Sequence, residues 1–335
     1  MPSRGKVVHM GRALILAGGG ITGIAWESGV LAGLAAGGFD TQTWDLVVGT
    51  SAGAYVGARL TGDASPGPLF TVQTSGNDAW EESELIVLFG PGYVRTMRLA
   101  RRPLLGWVGL IWLGNLIVRL LMRHAIRHGW RATARLAMTL GPGRRDKADP
   151  RDVLTTVGAV ANLSRKSPTV LIGNWEHALG TGRPWPATRL ITTAIDTTDG
   201  SRKLFEASSG VPLVDAISAS TCLPGLLAPV RLLGRRYIDG GIVSPTNADV
   251  ATGHQEIWII SPSAEDSLHR EVADLRSGGA RVHVISPSSS SREALPSGFG
   301  SLDPVRRLAA ARAGYEDGRA AAAAAATAAQ PLRST

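Results

Sequence analysis

The feature that most constrains this chain is Gly49-Thr50-Ser51-Ala52-Gly53, set between the aliphatic run Leu46-Val47-Val48 and a small-residue stretch beginning at Ala52. The run reads as a buried strand and the stretch as a helix packed close against a sheet. Passing from strand to helix in so few residues requires a sharp turn, and glycines at 49 and 53 remove the side chains that would collide. Ser51 is then exposed at the apex. The helix N-terminus beside it favours negative charge on an activated oxygen or a reacting oxyanion.

A second glycine cluster, Gly18-Gly19-Gly20-Ile21-Thr22-Gly23, follows the apolar run Ala13-Leu14-Ile15-Leu16-Ala17 and precedes a plausible helix from Ile24 to Leu34. Taken alone, Gly18-x-Gly20-x-x-Gly23 suits a dinucleotide loop as well as an oxyanion loop, since both point backbone N–H groups at an anion. The dinucleotide reading wants an acidic residue at the end of the second strand. Here that position leads into Gly49-Thr50-Ser51. An α/β-hydrolase triad is the other familiar arrangement, with Asp196, Asp199, His254 and His283 following the serine in the right order. That fold places several strands before its nucleophile, whereas only about two precede Ser51, so another base is sought. Thr188 to Asp196 reads as a core strand, Val211 to Ala219 as a helix and Ser220 to Gly225 as a turn. Arg235-Arg236-Tyr237-Ile238-Asp239 then puts an aspartate at a strand end before Gly240-Gly241. Without the two earlier motifs, Asp-Gly at that place is an ordinary hairpin turn.

The three motifs in this order, Gly18 to Gly23, Gly49 to Gly53 and Asp239-Gly240-Gly241, resemble those of the patatin-like phospholipase family over roughly residues 12 to 245. The resemblance implies a three-layer α/β/α fold with a mostly parallel central sheet. It implies a Ser51 nucleophile with an Asp239 base, an oxyanion hole from Gly18, Gly19 and Gly20, and motif support from Gly23, Gly49, Gly53, Gly240 and Gly241. The family commonly carries Arg or Lys just before the last glycine of the first motif, where this chain has Thr22. The implied activity is a serine lipid acyl hydrolase of phospholipase A, lysophospholipase or esterase type, acting through an acyl-enzyme without cofactor or metal. Transfer of the acyl group to water or to another alcohol stays open, as do head group, chain length and oligomeric state. The alternative from another class is a catalytically weak lipid-binding protein on the same fold; a nucleotide-binding oxidoreductase ranks below it.

The net charge of +8 points to an anionic partner. Its distribution narrows the choice: residues 85 to 145 hold 11 arginines and no Asp or Glu, leaving −3 on the remainder. Within this segment Leu104 to Val118 is apolar apart from Asn115, includes Trp107 and Trp112, and is interrupted by three glycines. A spanning helix needs about 20 apolar residues, so a lid or an interfacial helix competes with a membrane span. Arg119, Arg123, Arg127, Arg131 and Arg135 recur at every fourth position, a basic stripe suited to an anionic bilayer. Nucleic acid is not expected, because no recognised binding module accompanies the arginines.

The 335 residues are read as one domain with a core of about 12–285, a basic and apolar helical insertion over 90–145, and an alanine-rich tail over 320–335. Glu256 to Ile260 and Arg281 to Ile285 are two further parallel strands flanking a helix around Asp266 to Arg276. Pro304 to Thr327 forms a terminal helix. The single cysteine, Cys222, excludes an intramolecular disulfide, and no Cys/His pairing marks a zinc site. The short N-terminal apolar run leads directly into glycines and is read as a strand, not a signal peptide. A cytoplasmic location, peripheral at the membrane, is the expectation.

Overall fold

A computed structural model describes residues 9–62, 64–75, 168–224, 227–263, 266–296 and 298–329. The basic insertion of 90–145, with Trp107, Trp112, Arg119, Arg123 and Arg127, lies outside them. In chain order the main elements are β1 (His9–Leu16), α1 (Gly20–Ala36), β2 (Leu46–Gly49), α2 (Ala52–Thr61), α3 (Pro66–Thr74), α4 (Pro168–Leu179), β3 (Arg189–Asp196) and β4 (Arg202–Phe205). They continue as α5 (Leu213–Ser220), β5 (Val230–Leu232), β6 (Arg235–Asp239), β7 (His254–Ile260), α6 (Asp266–Ser277), β8 (Arg281–Ile285) and α7 (Arg307–Ala329).

The strands form one sheet in the order β5-β6-β3-β2-β1-β7-β8, with β4 also paired to β3. The five strands from β3 to β8 along this path run parallel, and β4, β5 and β6 add antiparallel pairings on the β3 side. Alternation along the strands explains the layers. Leu14, Leu16, Val47 and Ile260 pack with α1, α2 and α7 on one face. Ala13, Ile15, Val48 and Ile259 pack with Leu268, Val272 and Leu275 of α6 on the other. Helices therefore cover both faces of a mostly parallel sheet. Register sets Leu16 opposite Gly49 and Ile260, and Gly49 opposite Thr192, so the carboxyl ends of the parallel strands share one edge.

The alanine-rich run from Ala320 has no apolar stripe from which a partner could be assigned in sequence, yet α7 packs closely along α1. The contact is made by glycines on both helices. A methyl group at Gly29 would lie 2.1 Å from the Ala311 carbonyl oxygen, and one at Gly314 would lie 2.1 Å from that of Trp26. Gly33 and Gly318 repeat the contact one turn on. Backbones this close gain dispersion and Cα–H···O contacts that larger residues would forfeit. The Trp26 indole N–H donates to Asp317 at 2.9 Å across the same seam.

The Asp239-Gly240-Gly241 segment is not a hairpin turn. It leads from β6 into a short 3-10 turn, Gly240–Ile242. The hairpin lies at the other end of β6, where Leu233 and Gly234 take positive φ values of 50° and 75° to join β5 to β6.

Candidate active site

Ser51 sits at the carboxyl edge of the sheet, between the end of β2 and the start of α2. Its backbone has φ 53° and ψ −115°, a region that side-chain-bearing residues seldom occupy and that costs about 1–3 kcal/mol. Neighbouring bonds hold it there. The Thr50 amide donates to Leu16 O and the Gly53 amide to Ala17 O, each at 3.0 Å, while the Ser51 amide donates to Ser220 Oγ at 2.9 Å. The flanking glycines are required by contact: a methyl group at Gly53 would lie 2.1 Å from Leu16 O, and one at Gly49 would lie 2.5 Å from Gly53 O. Leu16 ends β1, so the turn is locked directly onto the central strand.

Asp239 ends β6, and the sheet brings it to Ser51 across 188 residues of sequence. The Ser51 hydroxyl donates to Asp239 Oδ2 at 2.6 Å, and the Gly241 amide donates to Oδ1 at 2.7 Å. Gly240 is forced by proximity to β3, since a methyl group there would lie 2.3 Å from Thr193 Oγ1. Asp239 is buried, and burial raises its carboxyl pKa from 3.8 to about 6, opposed by the hydrogen bonds from Ser51 and the Gly241 amide. Such a carboxylate is ionised at neutral pH and more basic than an exposed aspartate. It can accept the serine proton through one short hydrogen bond.

The first glycine loop runs beside Ser51: a methyl group at Gly18 would lie 3.5 Å from Ser51 Cβ. The three amides of this loop are not equivalent. That of Gly18 donates to Pro245 O at 2.8 Å, which ties the loop to the segment after Asp239. Gly20 begins α1 with φ +63°, and the amides at this helix start belong to the group that an α-helix leaves without internal partners. Thr22, at the position where the family resemblance calls for a cation, is buried.

The alternative acids and bases in the sequence are placed elsewhere. Asp196 and Asp199 both bind Arg235, at 2.6 and 2.9 Å. His254 is the first residue of β7, at the sheet edge opposite Ser51, and the His283 ring stacks on Trp258. Ser220 and Pro245 were not marked by sequence. A serine within a helix and a proline carbonyl carry no motif, and only the fold aims them at the turn and the loop. Among the described residues no helix is long and apolar enough to cross a membrane.

An α/β/α sandwich with a sharply turned serine at the carboxyl edge of its sheet defines a class of ester hydrolase. Within that class, residues 14–252 match the family model described as patatin-like phospholipase, and the chain belongs to this family of lipid ester hydrolases. Among solved structures it is similar to VipD from Legionella pneumophila, with 15% identity, a TM-score of 0.36, and coverage of 95% of this chain and 67% of that one. It is also similar to the type III effector protein ExoU, with 16% identity, a TM-score of 0.37, and coverage of 94% and 53%. A third is the complex of SpcU with full-length ExoU from Pseudomonas aeruginosa, with 16% identity, a TM-score of 0.31, and coverage of 92% and 52%. The chain thus spans about half the length of the ExoU chains. A comparison with curated proteins gave no match.

Proposed function

We propose that the protein hydrolyses acyl esters of lipids through an acyl-enzyme on Ser51, with Asp239 as the base. The observation that carries this reading is the 2.6 Å contact between Ser51 Oγ and the buried Asp239 carboxylate. As Ser51 attacks the ester carbonyl, its proton passes to Asp239 and the carbonyl oxygen becomes an oxyanion. Collapse of the tetrahedral species breaks the bond to the alcohol, which leaves with that proton. Water then attacks the acyl-enzyme by the same route, giving one proton to Asp239, which returns it to Ser51 Oγ as the bond to the acyl group breaks and the fatty acid is released. The amides of Gly19 and Gly20, at the start of α1, serve the oxyanion, and Gly18 anchors the loop through Pro245. Losing one such donor costs about 10²–10³ in rate. The arginine-rich composition of residues 85–145 supports action on an anionic lipid surface.

The test is intact mass after treatment with a fluorophosphonate, with wild type and Ser51→Ala compared. Fatty-acid release from a short-chain ester and from anionic and neutral phospholipid vesicles is measured in parallel. One adduct per chain, lost in Ser51→Ala, with faster release from anionic vesicles, is the expected outcome. A folded wild-type protein that neither labels nor hydrolyses would overturn the proposal in favour of a lipid-binding role.

A further inference from the structure

The segment after Asp239 is pinned by a buried polar network that the proposed chemistry does not use. At its centre Asn247 is fully buried and left-handed, with φ 48° and ψ 38°, a conformation Asn tolerates better than most residues. Its side-chain amide is used at both ends. Nδ2 donates to Ser244 O at 2.6 Å, Thr50 Oγ1 at 3.1 Å and Thr193 Oγ1 at 3.3 Å, and the two threonine hydroxyls are 3.0 Å apart. Oδ1 accepts from Arg202 at 3.1 Å, and Arg202 also binds both carboxylate oxygens of Asp249. A cation on the oxygen and three acceptors around the nitrogen fix the orientation of the amide.

Glu271 of α6 secures the other side of the segment. It accepts from Ser244 Oγ at 2.6 Å, from the Thr246 hydroxyl, and from the Ala248 amide at 3.2 Å. The Ser244 hydroxyl in turn accepts the Asn247 amide N–H at 2.8 Å.

Each of the three acceptors of Asn247 Nδ2 leads to one of the three motifs. Thr50 precedes Ser51, and its methyl would lie 3.6 Å from a methyl group placed at Gly241, whose amide holds Asp239. Thr193 lies under Gly240. Ser244 precedes Pro245, the acceptor for the Gly18 amide. Resting on the Ser51 and Asp239 reading above, we infer that Asn247 is a positioning residue. Its side-chain amide locks the serine turn, the aspartate loop and the oxyanion loop into one register. It acts through Thr50, Thr193 and Ser244 and does not reach the substrate. Polar networks of this kind hold a unique geometry when every member is satisfied.

Asn247→Gly keeps the left-handed backbone accessible and removes the amide, while Thr50→Val keeps the shape of Thr50 and removes its hydroxyl. Fluorophosphonate inactivation and ester turnover are measured per active site, by titration of the reactive serine, alongside urea unfolding. Each variant is expected to react about 10- to 100-fold more slowly per titrated site with KM unchanged, the scale of a small misplacement of reacting groups. Thr50→Ser restores most of the rate, and the double variant is no slower than the slower single one, because both changes break the same link. Wild-type rates per titrated site in Asn247→Gly and Thr50→Val, with only the unfolding midpoint lowered, would overturn the inference and leave the Ser51 chemistry standing. A wild-type protein that does not react at all overturns both.

Discussion

Replacing Asp239 by Asn separates what this residue does for the fold from what it is proposed to do for turnover. The carboxyl is buried, and its pKa is raised from 3.8 to about 6, chiefly by burial and against two hydrogen bonds. The folded chain therefore holds this proton more tightly than the unfolded chain. The stabilising contribution of the group is complete below about pH 3.8 and is lost as the pH rises through about 6. A rise of that size corresponds to roughly 3 kcal/mol, carried as a penalty by the wild-type fold at neutral and alkaline pH. Asparagine keeps the shape, offers Oδ1 to the Gly241 amide and Nδ2 to Ser51 Oγ, and carries no charge to desolvate. Asp239→Asn is thus expected to be more stable than wild type at about pH 8, by up to roughly 3 kcal/mol, with the gap closing toward about pH 4. Urea unfolding followed by tryptophan fluorescence reads this directly. With an m value of about 3 kcal/mol per molar, the midpoint moves up by about 1 M at the higher pH. The same protein should have lost ester turnover. A variant no more stable than wild type at about pH 8, or an offset identical at both pH values, would refute the reasoning.

Two other outcomes follow from the same geometry. Because the base must be ionised, kcat/KM for a soluble ester is expected to hold a plateau above about pH 6 and fall about tenfold per pH unit below it; a pH–rate profile without that acid limb would remove Asp239 from the role of base. Gly314→Leu drives a side chain toward the Trp26 carbonyl and should lower stability by roughly 1–3 kcal/mol. The exposed Ala320→Leu on the same helix should change it little, and equal denaturation midpoints for the two variants would contradict the close packing of α1 on α7.

Much of the parallel core was legible because it is locally encoded. The strands at 46–49, 189–196, 254–260 and 281–285 are aliphatic or β-branched runs bounded by turn residues, and the helices at 213–220 and 266–277 follow helical periodicity. The short strands β4 and β5 were not, since Arg202-Lys203-Leu204-Phe205 and Val230-Arg231-Leu232 give too few alternations to register and exist because β3 and β6 offer edges to pair with. The helix at 168–179 was likewise unmarked. The docking of α7 was invisible for a different reason. Its contact with α1 depends on what Gly314 and Gly318 lack, and a missing side chain leaves no hydrophobic pattern to read.

The candidate site divides along the same line. Sequence by itself determined the local necessities: a glycine-flanked serine between strand and helix, a glycine loop ahead of α1, and an aspartate before paired glycines. Each is a pattern of a few consecutive residues, and at Gly49 it is imposed locally, since a methyl group there would lie 2.5 Å from Gly53 O. Tertiary structure alone decided that Ser51 and Asp239 meet at 2.6 Å. It also decided that the Gly18 amide is committed to Pro245, and that Thr50, Thr193 and Asn247 share one buried hydrogen-bond cluster. These relations join residues far apart in the chain through strand register and helix docking, and they set the environment that raises the Asp239 pKa. Burial is a property of the assembled sheet and its covering layers, so no stretch of sequence around Asp239 could have specified it.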